Sequence, residues 1–168
     1  MSIDLSAMFG LQGKTAVITG GGGDLCSALA LAISGAGARV AILDIRLDKA
    51  QAVAAAVTGA GGTAAAYACD VLDEKSLRSV YDAICASWGK PDILLNGAGG
   101  NVPSGSTKLE FLDRALLGDA GERDFFDLEF EGVRKTFDLN FLGTFLPTKV
   151  FARGMVERLK HHAKDLGC

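Results

Sequence analysis

Four consecutive glycines, Gly20 to Gly23, separate the apolar run Thr15-Ala16-Val17-Ile18-Thr19 from a segment of helical spacing that starts at Asp24. An apolar run that breaks into glycine and resumes with helical periodicity spells strand, tight turn, helix. Glycine carries no Cβ, so the turn can take positive φ and bring an anion against the peptide N–H groups at the helix N-terminus. A nucleotide phosphate suits that geometry; a turn that only connects two elements is the alternative. Asp44 is the second mark. It lies 24 residues beyond Gly20 and closes the run Val40-Ala41-Ile42-Leu43, where a dinucleotide-binding βαβ unit places an acid to accept from the adenosine ribose hydroxyls.

The rest of the chain repeats this alternation. Leu25, Leu29, Ala32, Ile33 and Ala36 form the apolar stripe expected for the helix after the turn, which should stop at Gly35-Ala36-Gly37. Residues 47–57 are alanine-rich and helical, 59–62 a turn, and 63–69 a third strand running into Asp70-Val71. Asp73 is positioned to cap a helix reaching Trp88, with Leu77, Val80, Tyr81 and Ile84 on one face. Pro91-Asp92 opens a fourth strand, Ile93-Leu94-Leu95, which ends in Asn96-Gly97-Ala98-Gly99-Gly100. Continuous apolar strands separated by helices predict an α/β fold with a parallel sheet covered on both faces. Ligands of such sheets bind at the strands' C-terminal edge, where both glycine-rich bends fall.

Residues 101–130 form an insert over that edge: Pro103-Ser104-Gly105-Ser106 is loop, 109–117 weakly helical, 119–122 polar. From Glu131 to about Leu159 the spacing predicts one long helix with two apolar stripes, Val133, Phe137, Phe141 and Phe145 on one and Leu139, Leu142, Leu146 and Val150 on the other. Pro147 should kink it by removing a hydrogen bond to Gly143. Asn140 is polar within this apolar segment, and a hydrogen-bonded core asparagine is its ordinary role.

Other classes are disfavoured. Gly13-Lys14-Thr15 imitates a phosphate-binding loop, yet the leading glycine that motif needs falls at Met8 and the triplet precedes the strand. With a formal charge of −3 and interspersed signs, the chain has no basic stripe for nucleic acid or a membrane surface. Neither a secretory signal nor a membrane-length apolar run is visible, and Cys26, Cys69, Cys85 and Cys168 lack C-x-x-C spacing, so reduced thiols and a cytoplasmic location are expected. Adjacent His161 and His162 point about 100° apart on a helix, which suits a solvated end better than a metal site or a base.

Taken in order, Thr19-Gly20-Gly21-Gly22-Gly23-Asp24-Leu25-Cys26, Asp44, Asp70-Val71, Asn96-Gly97-Ala98-Gly99 and Phe137-Asp138-Leu139-Asn140 resemble the short-chain dehydrogenase/reductase family over almost the whole chain. The resemblance implies a Rossmann-type, doubly wound parallel sheet of strand order 3-2-1-4. It implies a single NAD(P)-binding domain, residues 1–168, truncated before a fifth strand. Cofactor contacts are implied for Thr19, Gly20, Gly22, Gly23 and Leu25 around the pyrophosphate, Asp44 at the ribose, Asp70 and Val71 at the adenine, and Asn96, Gly97, Ala98 and Gly99 toward the nicotinamide. Asn140 matches the active-site asparagine. Within the family, the insert, the glycine run and Phe137-Asp138-Leu139-Asn140-Phe141-Leu142-Gly143-Thr144 look most like oxidoreductases of sugar-acid alcohols such as D-mannonate.

Departures matter as well. Asp24 and Cys26 stand where the family's Thr-Gly-x-x-x-Gly-x-Gly expects glycine, so a carboxylate lies beside the expected pyrophosphate unless it turns outward as a cap. The family's serine, tyrosine and following lysine have no counterpart: no serine follows Ser106, and neither Tyr67 nor Tyr81 has lysine four residues on. The expectation is an NAD-dependent oxidoreductase's cofactor-binding portion, inactive alone, with a non-catalytic dinucleotide-binding or interaction module as the alternative. NAD is preferred because a 2′-phosphate would meet Asp44, although Arg39 and Arg46 leave NADP open. An uncovered fourth strand and helix stripe predict self-association.

Overall fold

Strands that are apolar on both faces need cover on both sides, and the computed structural model, which describes residues 8–108, 110, 111, 114 and 123–165 with side chains through 158, supplies it. Among the described residues four strands, β1 (Thr15–Thr19), β2 (Arg39–Asp44), β3 (Thr63–Ala68) and β4 (Ile93–Asn96), lie in the order β3-β2-β1-β4. All pairings are parallel, with Ile18 opposite Ile42 and Leu95, and Ile42 opposite Ala66. Around the sheet lie the helices α1 (Asp24–Gly35), α2 (Leu47–Gly59), α3 (Glu74–Trp88), α4 (Phe130–Phe137) and α5 (Gly143–Asp165) among the described residues. A π-helical turn, Asp138–Leu142, joins the last two, and Pro103–Gly105 is a short 3₁₀ turn.

Successive strand residues point to opposite faces, and the core divides accordingly. Ile18, Val40 and Ile42 pack with Cys26 and Ala30 of α1 and Ala50, Val53 and Val57 of α2. Val17, Ala41 and Leu43 pack with Leu77, Val80 and Ile84 of α3 and Val150 and Phe151 of α5. This is the doubly wound sheet expected from the strand pattern.

Three local readings change. α1 buries Cys26, Ala30 and Ser34, while Leu25 is 75% exposed. Small residues face the sheet because α1 leaves the glycine turn directly above the Gly97 bend, where Cys26 Sγ already occupies the space a Cβ on Gly97 would need. Where one unbroken helix was expected, a π turn, Asp138–Leu142, interrupts the helix around Asn140; Pro147 lies inside α5. Phe151, absent from both expected stripes, is fully buried. Asp73 caps α3 as expected, accepting from Lys75 N at 2.9 Å. Of the expected helix over 109–117 only residues 110, 111 and 114 are described, and the polar stretch 119–122, the His161 and His162 side chains and Cys168 lie outside the described residues.

Beneath the sheet, at the end away from the glycine turn, Asp92 ties three elements together. It accepts from Thr15 N at 2.9 Å and pairs with Lys14 at 3.2 Å and Arg158 at 2.7 Å, its side chain 8% exposed. Burial pushes its carboxyl up, but the Thr15 N–H and the two cations outweigh this and hold it below the usual carboxylate range. A group depressed in the folded state stabilises the fold above its unfolded value and loses that contribution as pH falls through the folded value. Stability should therefore decline below about pH 4, and Asp92→Asn should cost about 1–3 kcal/mol at neutral pH while flattening the acid limb. Urea melts from pH 2 to 7 test this; an unchanged acid limb in the variant would contradict it.

Candidate functional site

The glycine turn closes on the end of β2. Gly20 has φ +61°, and a Cβ there would lie 2.7 Å from Ala98 Cα. Gly21 N donates to Leu43 O at 2.9 Å, Gly22 N to Asp44 Oδ2 at 3.0 Å and Gly23 N to Gly20 O at 3.1 Å. Asp44 is thus no freely solvated strand end: it is 7% exposed, and its Oδ1 accepts from Arg46 N at 3.0 Å. Both carboxylate oxygens keep lone pairs for further donors. The turn's exit is open, since Gly23 at the start of α1 brings no side-chain cap and the first N–H groups of a helix have no intrahelical acceptor.

The second bend is held from two sides. Thr19, fully buried at the end of β1, accepts from Gly97 N at 3.1 Å and Ala98 N at 3.3 Å through Oγ1. From the π turn, Asn140 Oδ1 accepts from Gly100 N at 3.2 Å, while its Nδ2 donates to Gly100 O at 2.6 Å and Thr136 O at 2.7 Å. A Cβ on Gly99 would come within 2.8 Å of Asn140 Oδ1, so a larger residue there would push the Asn140 amide from its present place in the clamp. Asn96 Nδ2 donates to Thr148 Oγ1 at 2.9 Å, leaving Asn96 Oδ1 buried without a donor. The insert is pinned close by: Gly105 and Gly132 meet backbone to backbone, and Val102 N donates to Thr136 Oγ1 at 3.1 Å.

The third wall follows β3. Asp70 Oδ1 accepts from Leu72 N at 2.9 Å, and Asp70 N donates to Ser76 Oγ at 3.2 Å. Val71 is 7% exposed and backs onto Gly143. Burial pushes the neighbouring Cys69 thiol up, against a lowering hydrogen bond with Ser76.

These walls enclose a cleft of about 280 Å³ at the C-terminal edge of the sheet. Of the residues singled out in the sequence, Gly20, Gly23, Asp44, Asp70, Val71, Gly97, Ala98 and Gly99 line it. Thr19, Gly22 and Asn140 act from behind, as hydrogen-bonding partners of its walls. Leu25 stands exposed in the first turn of α1, and Asn96 engages α5. Arg46, which the sequence brought in as a residue that leaves NADP open, also lines it; sequence reasoning missed Ile45, Cys69 and Leu139 as lining residues. Ile45 and Cys69 adjoin Asp44 and Asp70 and were findable by adjacency; Leu139 depends on the π turn, which carries no sequence signal of its own.

The tyrosines do not serve this cleft. Tyr67 packs against the sheet core, and burial raises its phenol. Tyr81, pushed up to about 12 by burial and then by its Cys85 partner, lines a separate depression with Arg78 and Arg153. Among the described residues no cluster of three or more His, Cys, Asp or Glu could hold a metal, and no helix is long and apolar enough to cross a membrane.

A family model described as short chain dehydrogenase matches residues 14–162. An uncharacterized oxidoreductase of Bacillus subtilis, UxuB, is 45% identical over 147 residues, 88% of this chain and 51% of the relative. One from Haemophilus influenzae is 40% identical over 155 residues, 92% of this chain and 54% of its own. Among solved structures, a Haemophilus protein named as a candidate D-mannonate oxidoreductase, with NAD bound, superposes with TM-score 0.83 at 41% identity, covering 90% of this chain and 54% of that one. The chain spans about half the length of the relatives it matches.

Proposed function

This chain belongs to the short-chain dehydrogenase family, and on that footing we propose that its cleft binds NAD and that it supplies the cofactor-binding part of an oxidoreductase acting on a sugar-acid alcohol. The observation that carries the reading is the convergence of the two glycine bends, Asp44 and Asp70-Val71 on one cleft at the C-terminal strand edge. The residues fit the group chemically. An uncapped helix end offers N–H donors to a diphosphate, and a buried carboxylate with spare lone pairs suits a ribose diol.

When bound, NAD supplies the hydride acceptor; the chain's residues orient and shelter it. Gly20 lets the turn lie flush against Ala98, Gly23 opens the end of α1, and Asp44 receives the ribose while fixing Gly22. Thr19 and Asn140 are positioning residues that hold the Gly97–Gly100 bend on which the nicotinamide side would rest. D-mannonate is the substrate favoured by the likeness to the Haemophilus protein. A dinucleotide-binding module without catalysis is the second reading, favoured by the lack, within these 168 residues, of any serine after Ser106 and of any tyrosine besides Tyr67 and Tyr81.

Cofactor titration tests the leading reading. NAD should bind at least tenfold more tightly than NADP at one ionic strength, because the 2′-phosphate would face the Asp44 carboxylate. Asp44→Ala should weaken NAD by about 10–100-fold, a loss of roughly 1.4–3 kcal/mol, and narrow the gap between cofactors. Tighter binding of NADP to the unmodified chain would sink the assignment.

A further inference from the structure

We propose that Asp24 is an affinity-setting residue: its carboxylate stands at the same helix end as the bound dinucleotide's pyrophosphate and holds NAD affinity down. The inference rests on reading the cleft as an NAD site. Asp24 is the first residue of α1 and is exposed. Its carbonyl accepts from Ser27 Oγ at 2.8 Å, but among the described residues its carboxylate has no ion-pair or hydrogen-bond partner. It has not turned into a cap, since the cap position is Gly23 and carries no side-chain bond.

The surroundings offer little relief. The cleft is lined by two acids, Asp44 and Asp70, against one cation, Arg46, whose Nε lies 4.0 Å from Asp44 Oδ1. A helix N-terminus carries about half a positive charge, and an acid in the first turn already answers it. A pyrophosphate arriving there brings two negative charges to a field that Asp24 has partly cancelled. The carboxylate therefore favours the empty helix end and opposes the phosphates, while adenosine, which carries no charge, feels little of its field. The consequence is weaker holding and faster release of the dinucleotide.

The test compares the full chain with Asp24→Asn and Asp24→Glu, titrating NAD and, separately, adenosine, which has no pyrophosphate, at low and high salt. Asp24→Asn should tighten NAD by about three- to tenfold at low salt, with a smaller gain at high salt and unchanged adenosine binding. Asp24→Glu should match the unmodified chain. Unchanged or weaker NAD binding in Asp24→Asn, or an equal gain for adenosine, would overturn the inference while leaving the NAD site standing. Absence of saturable NAD binding to the unmodified chain would remove that site, and the inference with it.

Discussion

Replacing Gly20 by alanine is expected to abolish measurable NAD binding and to lower the melting temperature of the chain by about 10 °C. Two costs combine at this position. Its φ of +61° is left-handed, which costs a residue with a Cβ roughly 1–2 kcal/mol. The added Cβ would also lie 2.7 Å from Ala98 Cα, 2.8 Å from Ala98 N and 2.8 Å from Gly97 O, all backbone atoms that cannot rotate away. Together these amount to about 3–5 kcal/mol, a large part of a domain stability of about 5–15 kcal/mol. Relief requires the two glycine bends to separate, and that separation opens the cleft. Gly23→Ala is the control, because its φ is not left-handed and its nearest contact, Gly20 O, is 3.3 Å away. Thermal melts and NAD titration of both variants check this; a Gly20→Ala protein as stable as Gly23→Ala would contradict the close approach.

The 168-residue chain alone is expected to self-associate and to show no NAD-dependent alcohol oxidation above background. Phe137, Phe141 and Phe145 are 64%, 56% and 54% exposed, stacked at 5.5 Å and 6.5 Å between centroids along one side of the long helix. Burying a large side chain fully yields roughly 1.5–3 kcal/mol, so a partner covering this stripe gains several such increments. β4 adds an open sheet edge among the described residues, with unpaired N–H and C=O groups that invite another strand. Phe141→Glu, a charge at the centre of the stripe, should shift sedimentation toward monomer while preserving the sheet core, which the stripe does not touch. Activity should be absent for a separate reason: these 168 residues hold no serine after Ser106 and no tyrosine with lysine four residues on, the groups that the family resemblance implies for moving the alcohol proton. A monodisperse monomer at high concentration would contradict the first half. Turnover of mannonate or another sugar acid would contradict the second.

Much of this was legible in the sequence, and the limits follow from physics. Strand order and two-sided cover come from near-continuous apolar strands alternating with helices, a pattern that leaves few right-handed solutions. Asp44 was found by its spacing from the glycine turn. Its second duty, accepting from Gly22 N, was not, since a hydrogen bond across 22 residues depends on how closely two strand ends approach. Thr19 and Asn140 were singled out by the resemblance, but their work on the Gly97–Gly100 bend is a tertiary contact without sequence periodicity. The face of α1 was misjudged because leucine spacing outweighed the small residues, although only small side chains fit above the bend where Cys26 meets Gly97. Phe151 was overlooked because the π turn changes the angular phase of everything after it.

The central claim, that the two bends and the β2 and β3 ends form one NAD site, is tested most directly by hydrogen exchange of the unmodified chain with and without saturating NAD. Slowed exchange is predicted in peptides covering residues 20–26, 44–46, 69–72 and 97–100, with little change around the Arg78, Tyr81 and Arg153 depression. Protection confined to that depression, or no protection anywhere at saturating NAD, would contradict the account.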